Sequence, residues 1–163
     1  AQTGVNAGSA KWTTIPYMGR TLSGVALMPY SQPTDGATMT YKFNLTEDVE
    51  NLSAVVAVNA TLTFYRLEGH RYMVSLDGGD EIEVVFNERL NEDQRNIYSV
   101  YYPTVATRVK DDRVQLGKVA KGEHTITFRP IEPGTVFEKV VIDAGGYIKS
   151  YLFMPESPYV REQ

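Results

Sequence analysis

The chain has no cysteine. That excludes disulfides, thiolate metal sites and a cysteine nucleophile, and it leaves the compartment open. Positive charge is also scarce: 16 Lys and Arg against 20 Asp and Glu give a net charge of -4. With no basic patch or stripe to follow a phosphate backbone, no nucleic-acid partner is expected. No apolar run approaches the length of a membrane span, so no membrane partner is expected either. Histidine occurs twice, as His70 and His124. Neither has a metal-ligand spacing such as His-Glu-x-x-His. There is no Gly-x-Ser-x-Gly elbow and no Gly-rich phosphate loop. These absences point to a chain with no catalytic residues, no metal and no cofactor of its own. The opening Ala-Gln-Thr-Gly shows neither a signal peptide nor an initiator Met, which reads as a piece of a longer protein or a processed one.

What is present suits a turn-rich β protein. Thirteen glycines and eight prolines punctuate 163 residues, a length suited to one domain with a real core. Residues 1–10 are small and polar and read as a linker or boundary segment. Residues 11–163 read as a single domain that includes its C-terminal tail. Residues 38–45 alternate cleanly: Met39, Tyr41, Phe43 and Leu45 face one way, Thr40, Lys42 and Asn44 the other. Period two over this length predicts a half-buried antiparallel strand. Residues 52–62 form a Val- and Ala-rich run, expected to be buried on both faces. Tyr72, Val74 and Leu76 alternate again, and Asp77-Gly-Gly-Asp80 predicts a hairpin turn before Ile82, Val84 and Phe86. Residues 87–96 read as a polar loop. Ile97, Val100 and Tyr101 have helical spacing and predict one or two turns ended by Pro103. Residues 105–116 read as extended but broken at Asp111-Asp112. His124, Ile126 and Phe128 alternate, which places His124 in or beside the core; His70 reads as a solvated turn residue. About eight or nine short strands with at most one or two helical turns predict an all-β, antiparallel sandwich of jelly-roll type.

The segment from 134 to 157 organises this reading. Val136, Val140 and Ile142 are expected on one face of a closing strand, Phe137 and Val141 on the other. Asp143 ends it and Gly145-Gly146 permit a sharp redirection. The tail beyond, rich in Tyr, Phe, Met and Pro, is too apolar for a free terminus and is expected to pack back across the domain. The same segment resembles the end of the C-terminal domain of glycoside hydrolase family 115, the xylan α-glucuronidases. The likeness lies in Pro133-Gly134, the run Lys139 to Asp143, Gly145-Gly146, Ser150 to Leu152 and Pro155 to Ser157. Trp12, Pro16, Gly19, Arg20 and Thr21 resemble that domain's opening, Arg71-Tyr72 to Asp77 its middle strand, and residues 122–126 the strand before the closing turn. Phe153-Met154 and the stretch between Asn87 and Gly117 depart from it. The closing hairpin is also similar to the last two strands of galactose-binding-like carbohydrate modules.

The resemblance implies a non-catalytic accessory domain, secreted or periplasmic, with the glucuronic-acid-cleaving centre in upstream domains. The residues agree on the absence of catalysis. Glycosidases need two close carboxylates, and Glu138 and Asp143 on the closing strand are expected on opposite faces. Acids at 47, 48 and 50, or Asp77 with Asp80, could offer calcium ligands but read as solvated turn acids. Sugar binding has better candidates, because such modules stack an aromatic face on pyranose C–H groups beside planar polar groups. Of the eleven tyrosines, Tyr17, Tyr30, Tyr98, Tyr102, Tyr147, Tyr151 and Tyr159 fall in expected loops. Tyr17, Arg20, Tyr147 and Tyr151 are the candidate carbohydrate-binding residues; Arg20 beside Tyr17 would suit an acidic sugar, since Arg can grip a carboxylate with two parallel hydrogen bonds. Trp12 is expected in the core or at a domain interface. Two readings stay open: a module that holds glucuronoxylan-type or other plant polysaccharide, and a structural domain that packs on the catalytic domains of its parent enzyme or forms a homodimer with no ligand.

Overall fold

The computed structural model describes residues 2–62, 64, 66, 68–86 and 93–158. Tyr159 and residues 87–92 of the expected loop lie outside them. Ten strands form two five-stranded antiparallel sheets. The first contains, in spatial order, β1 (Gln2–Val5), β4 (Thr38–Leu45), β9 (Gly122–Pro130), β6 (His70–Leu76) and β7 (Ile82–Phe86). The second contains β2 (Lys11–Ile15), β3 (Gly24–Met28), β10 (Val136–Asp143), β5 (Val49–Asn59) and β8 (Val109–Val119). Apart from the β2–β3 and β6–β7 hairpins, each step along the chain passes from one sheet to the other. This is the winding of a jelly-roll β-sandwich, the architecture expected.

The alternation in β4 is realised: Met39 and Leu45 are buried, Tyr41 and Phe43 half-buried, Lys42 and Asn44 exposed. Its side chains meet those of β5, β6, β9 and β10 in one core, where Met39, Val56, Tyr72, Ile126, Phe128 and Phe137 are all buried. Phe137 is in ring contact with Tyr72 at 5.3 Å, Phe128 at 5.5 Å and Trp12 at 6.2 Å between centroids.

β10 corrects the expectation for its faces. Phe137 pairs with Val58, but the next residue in register is Lys139, paired with Ala57. One extra residue on β10 makes a β-bulge, which resets the alternation. Phe137 therefore points into the core with Val140 and Ile142, not away from them. The same reset puts Glu138, Lys139 and Asp143 together on the outer face, so Glu138 and Asp143 do not lie on opposite faces as expected.

Four other expectations change. Gln2–Val5, read as part of a boundary segment, pairs with Thr38–Tyr41 of β4. Trp12 fixes it there: its Nε1 donates to the Val5 carbonyl, and a side chain at Gly4 would meet the indole at 2.9 Å. Pro103 does not end the helical segment. A π-helical turn at Ile97–Tyr101 runs into α1 (Tyr102–Thr107), with Pro103 as its second residue. Asp111-Asp112 does not break β8, which is continuous. His70 is fully buried, edge-on to Phe64 and Phe86. Burial lowers its pKa against an opposing pull from Glu132.

His124 sits beside the core, against Phe43, with both nitrogens partnered. Nδ1 lies 2.7 Å from Asp77 Oδ2 and Nε2 lies 2.8 Å from the Ala120 carbonyl. Two acceptors favour the ring with both protons, and the Asp77 and Ala120 hydrogen bonds raise its pKa above 6.5. Burial pushes Asp77 up, but hydrogen bonds from His124 and Thr125 outweigh it and lower its pKa below 3.8.

Phe137→Ala should cost about 3–5 kcal/mol in denaturant-unfolding free energy, and Ile142→Ala, half-buried, clearly less; a Phe137 value below about 1 kcal/mol would contradict the core described. The His124 contribution is complete below 6.5 and is lost as pH rises through the raised folded value, whereas that of Asp77 is present above 3.8 and is lost as pH falls through the lowered one. Melting temperature relative to a His124→Gln variant should therefore be highest between those limits and converge in alkali. A difference that persists unchanged to alkaline pH would refute the assignment.

Candidate functional site

Asp143 turns the chain out of β10. Its Oδ1 accepts the N–H groups of Gly145 and Tyr147, and its Oδ2 accepts Arg113 Nη1 at 2.6 Å. Arg113, its first partner, holds the Asp143 carboxyl below its usual value. Gly145 and Gly146 then adopt φ of 119° and 86°, which only glycine enters freely. Residues 144–158 run back across the outer face of the second sheet without pairing as a strand. Lys149 Nζ reaches Asp111 at 2.8 Å, Lys139 reaches Glu156 at 3.5 Å, and Phe153 is buried against Ala57 and Val109. Phe153 is the one buried apolar side chain described there; Ile148 and Leu152 are 73% and 65% exposed. One buried Phe contributes about 1.5–3 kcal/mol, whereas each ordered residue costs about 1–2 kcal/mol of backbone entropy. Polar contacts must therefore hold the tail.

Arg20 is the centre of those contacts. Its backbone N–H donates to Glu138 Oε2 at 2.8 Å, which seats the 16–23 loop on the bulge. Its Nε donates to the Thr107 carbonyl at 2.9 Å and its Nη1 to the Tyr151 carbonyl at 2.6 Å. The guanidinium lies 4.6 Å from the Tyr151 ring centroid and 4.9 Å from that of Phe153. Arg20 thus clamps the loop, the end of α1 and the tail together. The N–H groups left for a ligand are those of Nη2 and the second on Nη1.

The structure brings Arg20 and Tyr151 into contact. Tyr17 is 95% exposed, three residues before Arg20 on the same loop. Tyr147 lies elsewhere on this face, its ring 5.9 Å from the Arg113 guanidinium and its hydroxyl buried without a partner among the described residues. Three of the five acids considered for calcium have other partners: Asp48 accepts the Lys121 N–H, Glu50 pairs with Lys118, and Asp77 holds His124.

A cleft of about 450 Å³ opens beside this clamp. It lies where β7 and β8, edge strands of opposite sheets, come together beneath the helical segment. Ser99, Thr104 and Thr107 line it on one side, and Lys110, Asp111, Asp112 and Lys149 on the other. Lys110 pairs with Asp112 at 2.8 Å, and Lys149 with Asp111. Tyr72 donates to Asp112 from the core; its deep burial, and then the charge of Asp112, raise its pKa far above 10 and keep it a donor. Thr107 and Val109 belong to both clamp and cleft, so the two are continuous. Tyr98 and Tyr102, each one residue before a cleft-lining position, form an exposed edge-to-face pair at 5.2 Å.

Sequence reasoning missed Asp111, Asp112 and Lys149. Two adjacent acids read as a turn, whereas an edge strand can carry them because each finds a lysine. Tyr98 and Tyr102 were placed in expected loops but not among the candidate carbohydrate-binding residues, and their i, i+4 spacing was the signal that they stand side by side.

Removing the clamp with Arg20→Ala should lower unfolding free energy by about 1–3 kcal/mol and speed amide exchange at Phe153, whose N–H bonds to the Ser150 carbonyl. Unchanged exchange there would show that the tail is held without Arg20.

The family model of the glycosyl hydrolase family 115 C-terminal domain matches residues 1–156. No curated protein matches the chain. Among solved structures, a family GH115 4-O-methyl-α-glucuronidase, BtGH115A, with specificity for decorated arabinogalactans, is 18% identical with a TM-score of 0.54; the match covers 86% of this chain and 17% of that one. A family 35 carbohydrate binding module from Clostridium thermocellum is 15% identical with a TM-score of 0.54, over 85% of this chain and 90% of the module. An exo-β-1,3-galactanase from Phanerochaete chrysosporium is 16% identical with a TM-score of 0.53, over 87% of this chain and 29% of the enzyme. At such identities the structural likeness is one of fold.

Proposed function

Because the chain belongs to the glycosyl hydrolase family 115 C-terminal domains, where it is a non-catalytic accessory domain, we propose that it binds plant polysaccharide and keeps it near the catalytic domains of a parent enzyme. Glucuronoxylan-type chains are one substrate class this reading admits and decorated arabinogalactans, for which the GH115 neighbour is specific, another; a secreted or periplasmic location goes with it. The observation that carries this reading is the cleft, lined by Ser99, Thr104, two lysine–aspartate pairs and the apolar Val85, Val100 and Pro103, with Tyr98 and Tyr102 exposed on the helical segment that forms one wall. Polar side chains set among apolar ones are what a pyranose needs: hydrogen-bond partners at its rim and apolar surface for its C–H groups. Tyr17, Arg20 and Tyr151 form the adjoining ledge, and Tyr147 the far side of the same face.

A second reading, packing against the catalytic domains or a second copy, has its own support. Ile148, Tyr151, Leu152 and Met154 expose apolar surface on the tail that no described residue covers. Under that reading Arg20 supports an interface and no sugar is bound.

Calorimetry with glucuronoxylan and other plant oligosaccharides separates the two. The carbohydrate-binding reading expects saturable binding of at least one, with a dissociation constant of about 10⁻⁵–10⁻³ M, weakened by Tyr98→Ala and Tyr102→Ala. It also expects no release of glucuronic or methylglucuronic acid from xylan fragments. Absence of binding across the panel favours the packing reading, and acid release abolished by a single acid-to-amide change would overturn both.

A further inference from the structure

We propose that the cleft between the helical segment and β8 takes a neutral sugar chain and discriminates against a uronic acid. This rests on the carbohydrate-binding reading above and names its ligand class.

Charge order at the cleft sets this preference. Both cations lining the cleft already face a carboxylate, Lys110 on Asp112 and Lys149 on Asp111, each at 2.8 Å. The carboxylates lie deeper than the ammonium groups: Asp112 and Asp111 side chains are 12% and 18% exposed, Lys110 and Lys149 30% and 66%. An entering sugar carboxylate would gain only a cation whose charge already faces a carboxylate. It would then sit beside two partly buried carboxylates, and like charges brought together without full solvation repel.

A neutral pyranose meets no such conflict. Each carboxylate offers more lone pairs than its lysine and tyrosine partners occupy, so vicinal sugar hydroxyls can donate to it. Thr104 Oγ1 donates to the Val100 carbonyl at 2.9 Å, which leaves its oxygen an acceptor, whereas the single Thr107 hydroxyl proton is offered to the carbonyls of Pro103 and Val109, both at 3.0 Å, and of Thr104 at 3.3 Å. Donors and acceptors therefore face a ligand that carries both in each hydroxyl. The Arg20 ledge, where the sequence suggested an acidic sugar, already gives two guanidinium nitrogens to backbone carbonyls.

The test is an NMR titration of the domain with neutral xylo-, manno- and β-1,3-galacto-oligosaccharides and with a xylotetraose bearing one glucuronic acid. We expect at least one neutral probe to shift the amides of Ser99, Thr104 and Lys110–Asp112. The acidic probe should bind about tenfold more weakly than the tightest neutral one. Asp111→Asn, which frees Lys149, should reduce that ratio several-fold, and Lys149→Gln, which leaves Asp111 unpaired, should widen it. Tighter binding of the acidic probe, shifts confined to the Arg20 ledge, or a ratio unmoved in both variants would overturn the inference and leave carbohydrate binding standing. No binding of any probe would overturn both.

Discussion

The extra residue in β10 is the constraint on which the rest of the molecule depends. A regular strand would send Glu138 and Lys139 to opposite faces. The bulge between Phe137 and Lys139 sends both outward and turns Phe137 inward. On the inside, Phe137 closes the aromatic core with Tyr72, Phe128 and Trp12. On the outside, Glu138 takes the Arg20 N–H and the Asn59 side-chain amide, and Lys139 lies near the Phe153 ring and Glu156. One irregularity therefore joins core packing to the loop, the end of α1 and the tail.

Outside the bulge the second sheet is covered mainly by charge. Arg113 and Asp143, Lys149 and Asp111, and Arg20 with its two carbonyls hold residues 144–158 where apolar burial alone would not. Partly exposed ion pairs of this kind contribute little singly. Their effect here is positional: they place α1, β8 and the tail so that a polar cleft lies between them. The same pairing decides what that cleft can accept, since its cations are matched before any ligand arrives.

Much of the architecture was legible in the sequence because it rests on local pattern. Strand β4 coincides with the alternation in Thr38–Leu45, and the Asp77 to Asp80 turn lies between β6 and β7, with positive φ at Asp77 and Gly78. What escaped were features settled by distant partners. The one mark of the bulge was the adjacent charged pair Glu138-Lys139, which strict alternation passed over, so Phe137 was assigned to the wrong face. Gln2–Val5 looks like a linker until Trp12 is seen lying over Gly4. Asp111-Asp112 looks like a turn until Lys110, Lys149 and Tyr72 are brought to it. The candidate site divides the same way. Arg20 and Tyr151 do meet, yet through the Tyr151 carbonyl and ring rather than as free sugar ligands, and the cleft has no contiguous motif at all.

The central claim is that the bulge holds loop and tail as one unit through Glu138 and Arg20. Native-state amide hydrogen exchange on a Glu138→Gln variant tests it most directly, because the change removes charge from the acceptor while keeping its shape. The account predicts that protection falls together at the Arg20 and Phe153 amides while core amides such as Val56 keep theirs. Loss at Arg20 with Phe153 unchanged would contradict it, since loop and tail would then be anchored independently.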